Sequence, residues 1–83
     1  MRAEDLLPDN LDHVERHGVV IRKGSVGAFL ANVRLWCDPS ADALQREAAE
    51  RDIVDALPAL RAVGLFDVLS IKDAALRRLV ARH

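Results

Sequence analysis

The run VGAFLANVRLWC, residues 26 to 37, constrains this chain more than any other stretch. Projected on a helix at about 100° per residue, Val26, Phe29, Leu30, Val33, Trp36 and Cys37 share one face, while Ala28, Ala31 and Leu35 share the opposite one. Only Asn32 and Arg34 are strongly polar. A helix apolar on two sides calls for cover on two sides, so this segment is expected to be the central element, touched by a hairpin, by other helices or by a second subunit. Gly27 and Ala31, one turn apart, would let another backbone come close.

The rest of the composition sharpens that demand. A chain of 83 residues hides a smaller share of its surface than a long one, so its stability margin is thin and subunit association is an obvious remedy. It is 51% apolar but only 4% aromatic, which puts Leu, Val, Ile and Ala in charge of the core and favours helices packed through small residues. The formal charge is -1, which argues against a protein whose main task is neutralising phosphate backbones. Cys37, the single cysteine, forms no internal disulfide and closes an apolar helical pattern, where a buried thiol in a reducing compartment is the expectation.

The opening MRAEDLLPDNLD carries acids and a proline where a secretory signal needs an apolar stretch, and no segment reaches the length of a membrane span. A cytoplasmic chain without membrane contact is expected. Residues 1–11 are read as a flexible arm, whose Leu6 and Leu7 could dock on a neighbour, and 12–83 as a single globular domain.

Residues 12 to 24, DHVERHGVVIRKG, admit a helix ending at Gly18 or a hairpin pairing 13–16 with 19–22 across a tight turn at His17-Gly18. The β-branched run Val19-Val20-Ile21, placed just after the glycine, favours the hairpin. Gly24 then breaks the strand and Ser25 is expected to cap the next helix. Asp38-Pro39-Ser40 reads as its stop and the cap of the following one. In that helix Ala49, Ile53, Ala56, Leu57 and Leu60 form a core stripe, while Arg46, Glu47, Glu50 and Arg51 face water. Pro58 predicts a kink or restart and Gly64 an end. LFDVLS, 65–70, reads as an apolar connector, and Ser70 with Asp73 resembles a capping box opening a last helix over 71–82, with Ala75, Leu76, Leu79 and Val80 buried. The expected class is mainly α (α+β): an N-terminal β-hairpin followed by three to four packed helices.

Two stretches carry a resemblance. GVVIRKGSVGAFLANVRLW resembles the pattern G-x-x-V-x-x-G-T-V-A-A-M-L-x-N-V-x-L-Y, and ALPALRAVGLFDVLS resembles A-I-P-T-L-x-K-V-G-L-F-D-L-F-S, both of a family of small bacterial proteins without an assigned activity. The likeness spans residues 18 to 70 and implies the hairpin, with the turn glycine at Gly18 and the helix opening at Gly24-Ser25. After Ser70 this chain departs from the family's Pro-Glu-Glu-Trp helix start, having Ile71-Lys72-Asp73-Ala74 instead.

No catalytic constellation stands out: the serines read as caps and acids alternate with bases on exposed faces. Lys23-Gly24-Ser25 has the parts of an anion site at a helix start, yet a Walker loop needs a glycine-bounded loop before its lysine, so a plain cap is expected. His13, His17 and Asp9 lack the fixed further ligand of a metal site, so no metal and no cofactor is expected. Asn32 and Trp36, a turn apart with Arg34 between them, could form a small ligand pocket or a contact rim; tying the helix to a nearby backbone is the plainer role for the asparagine. Arg77, Arg78, Arg82 and His83 with Lys72 are the most basic stretch, which together with Arg22 and Lys23 would serve a nucleic-acid-binding regulator. Dipole complement and a solvated face account for them as well, and nucleic acid is not the expected partner. The reading is therefore a non-enzymatic domain that binds itself or another protein, as a homo-oligomer, through Ala28, Ala31 and Leu35.

Overall fold

The computed structural model describes residues 24 to 83 in full and, upstream, only the backbone of His13–Arg16 and Val19–Arg22, which run antiparallel as two four-residue strands. The α+β class is corrected by the fully described residues, which are 77% helix in four helices with no strand among them. The expected hairpin as a whole, with its turn at His17-Gly18, lies outside those residues, and so does the arm over 1–11. A two-stranded ribbon is marginal by itself in water. The buried body is made by helices.

The first helix, α1, spans Ser25–Cys37. Its cap is Gly24 at φ 85°, a left-handed conformation that glycine takes without steric cost, and the Gly24 carbonyl accepts from the Ala28 amide at 2.9 Å. Ser25 is therefore the first helical residue rather than the expected cap. At the far end the Asp38 amide donates to the Leu35 carbonyl.

The link to the second helix is tied by polar groups. The Asp38 carboxylate accepts from the Ser40 amide at 2.9 Å and from its hydroxyl at 2.7 Å. Arg46 was expected to face water, but it is half-buried, donating to the Asp38 carbonyl at 3.0 Å and the Pro39 carbonyl at 2.9 Å. The cap is Asp42, not Ser40. Its side chain accepts from the Gln45 amide at 2.8 Å and Gln45 returns the bond at 3.0 Å, a reciprocal capping box.

That helix, α2, runs Ala43–Val63 with Pro58 inside it, so it does not restart there. An interior proline costs about 3 kcal/mol. Leu57 and Leu60, on either side of it, and Ile53 one turn back are 0–1% exposed, and burial at roughly 1.5–3 kcal/mol apiece outweighs that cost. Gly64 ends α2 as expected, at φ 89° with its amide on the Leu60 and Arg61 carbonyls. The connector holds one helical turn, α3, at Leu65–Val68.

The last helix, α4, spans Ala74–Ala81 and starts later than expected, because Asp73 caps it by accepting from the Leu76 amide at 2.8 Å; Ser70 has no such role. Leu76 and Leu79 are buried and Val80 half-buried, while Ala75 is exposed.

Phe29, Ile53, Leu57, Leu60, Leu76 and Leu79 form one core cluster, with Val33, Trp36, Phe66 and Ile71 among the side chains packed against it. Phe29 is the only residue of α1 that is buried, and its ring meets that of Phe66 edge-on at 6.2 Å and 69°. The expected apolar face of α1 is thus narrower than its residue types suggested, since Val26, Leu30 and Cys37 stand exposed. The reason lies in what covers it. Among the described residues, the arc centred on Phe29, Val33 and Trp36 is the part of α1 that meets the core.

Candidate functional site

The expected contact face of α1 does not present large apolar side chains to solvent. Ala28 and Ala31 are exposed and Leu35 is half-buried, so the outer face offers little more than two methyl groups. Among the described residues, a Cβ placed on Gly27 would meet nothing within 4 Å.

Larger apolar surface lies elsewhere. Leu30 on α1 is 48% exposed and Leu69, just past α3, is 58% exposed. Both line an open groove of about 220 Å³ whose other walls include Phe29, Phe66, Ile71 and Leu76. Val68, 83% exposed, precedes Leu69, and Val26, 39% exposed, lies one turn before Leu30. Lys72 and Asp73 stand at the groove as adjacent opposite charges. Helix periodicity missed this surface because half of it belongs to LFDVLS. Four large apolar residues out of six at 65–70 were the available signal, being more than a connector needs.

Asn32 and Trp36, a turn apart on α1, line different depressions. Asn32, half-buried, lines a cleft of about 340 Å³ between α1 and α2 with Ala28, Asp52 and Asp55. Trp36 lines a separate depression with Cys37, Asp73 and Ala75, and its indole Nε1–H donates to Glu50 Oε1 at 3.2 Å. Arg34 is exposed. The side chains of Arg22 and Lys23 lie outside the described residues, as do those of His13, His17 and Asp9. Among the described residues no group of three or more His, Cys, Asp or Glu is placed to hold a metal ion.

The basic C-terminal stretch is partly used within the chain. Arg77 donates to the Ile71 carbonyl at 3.3 Å. Arg61 on α2 donates to the carbonyls of Val80 at 3.0 Å and His83 at 2.9 Å, closing the end of α4. Separations of 19 and 22 residues put that clamp beyond any local pattern. Lys72, Arg78, Arg82 and His83 remain exposed.

One carboxylate is electrostatically marked. Hydrogen bonds from the Ser40 hydroxyl and amide, with Arg46 nearby, hold the Asp38 carboxyl below its ordinary value of 3.8. Its partners serve the α1–α2 link.

No described helix is long and apolar enough to cross a membrane. No family model, curated protein or solved structure matches the chain, so the likeness read between residues 18 and 70 assigns it to no family.

Proposed function

We propose that the chain acts by self-association through the apolar groove between α1 and the 65–73 segment, and carries out no chemistry of its own. The observation that supports this is the pairing of Leu30 and Leu69, each about half exposed, across a groove floored by aromatic and aliphatic side chains. Exposed apolar side chains that adjoin one another mark contact surfaces more often than scattered ones do. A second copy suits the groove better than a strongly charged partner, because Lys72 and Asp73 balance at its edge and a net charge of -1 leaves copies little reason to repel.

Light scattering coupled to gel filtration, from about 10 µM to about 1 mM, tests this reading. The weight-average mass should rise with concentration and stay monomeric in a Leu30→Glu, Leu69→Glu double variant of unchanged helicity. A monomer throughout overturns it. So does a dimer that the double variant leaves intact. A nucleic-acid role is favoured by no observation: Arg61 and Arg77 already serve backbone carbonyls. It would show as duplex binding that falls steeply with salt.

A further inference from the structure

We draw no further inference here: the strongest candidate, the open cleft between α1 and α2 lined by Asp52, Asp55, Asn32 and Ser25, rests on an exposed acidic pair with no second feature that points to a ligand.

Discussion

Gly27→Ala separates a one-sided α1 from a two-sided one. Gly27 is the third residue of α1 and is not among the positive-φ glycines, and a Cβ built on it meets no atom of the described residues within 4 Å. Alanine should therefore stabilise the helix, by about 0.5–1 kcal/mol, because it restricts the unfolded chain and suits the helical backbone. For a domain of this size 1 kcal/mol moves the melting temperature by about 4–8 °C, so the expected rise is about 2–8 °C. Helical circular dichroism followed on heating, at two protein concentrations, reads it. Gly24→Ala and Gly64→Ala serve as opposite controls: both sit near φ 85–89°, where a side chain costs roughly 1–2 kcal/mol, and at Gly64 the new Cβ would also stand 3.4 Å from Asp67 Oδ2. A fall in melting temperature for Gly27→Ala would refute the reasoning. A gain that disappears at high concentration would do so too, because either result means that another backbone lies on this face.

Phe29→Ala should cost about 3–5 kcal/mol by urea denaturation, and a double-mutant cycle with Phe66→Ala should return a coupling of about 0.5–1.5 kcal/mol for the edge-on pair; zero coupling would leave the ring contact without energetic weight. Arg61→Met should cost about 1 kcal/mol and speed amide exchange in α4 while the amides around Ile53 and Leu57 stay protected; uniform loss would mean that Arg61 does not act on α4 in particular. Asp38 has a depressed folded pKa, so its contribution is present at neutral pH and lost as the pH falls from 3.8 through the lower folded value. The gap in melting temperature between the native chain and Asp38→Asn should accordingly close on acidification, and a gap constant with pH would remove the carboxylate's role.

The core was legible where burial and periodicity coincide. Ile53, Leu57 and Leu60 recur at helical spacing and are buried, and Gly64 stops the helix for the reason a glycine usually does. Two kinds of feature were not legible. Caps fell at Gly24, Asp42 and Asp73 instead of Ser25, Ser40 and Ser70, since serine, aspartate and glycine compete for the same position and only the backbone path decides. The split of α1 into a buried arc and an exposed one depends on how far α2 and Phe66 reach around it, which is a tertiary quantity. Residue type alone made Ala28, Ala31 and Leu35 look like a second buried face. The proposed association rests instead on Leu30 and Leu69, the larger exposed side chains.

How strong an association this surface can support follows from its exposure. Full burial of a leucine or valine yields roughly 1.5–3 kcal/mol. Scaled by the fraction still open to water, Leu30, Leu69, Val68 and Val26 together hold roughly 3–7 kcal/mol per copy, hence roughly 7–14 kcal/mol when two copies close over one another. Bringing two molecules together costs at least about 4 kcal/mol in lost freedom. At most about 10 kcal/mol is left, a dissociation constant no tighter than roughly 0.1 µM. A dimer held by these side chains should break when Leu30 and Leu69 are charged. A measured constant well below about 0.1 µM would mean that surface beyond these four residues takes part.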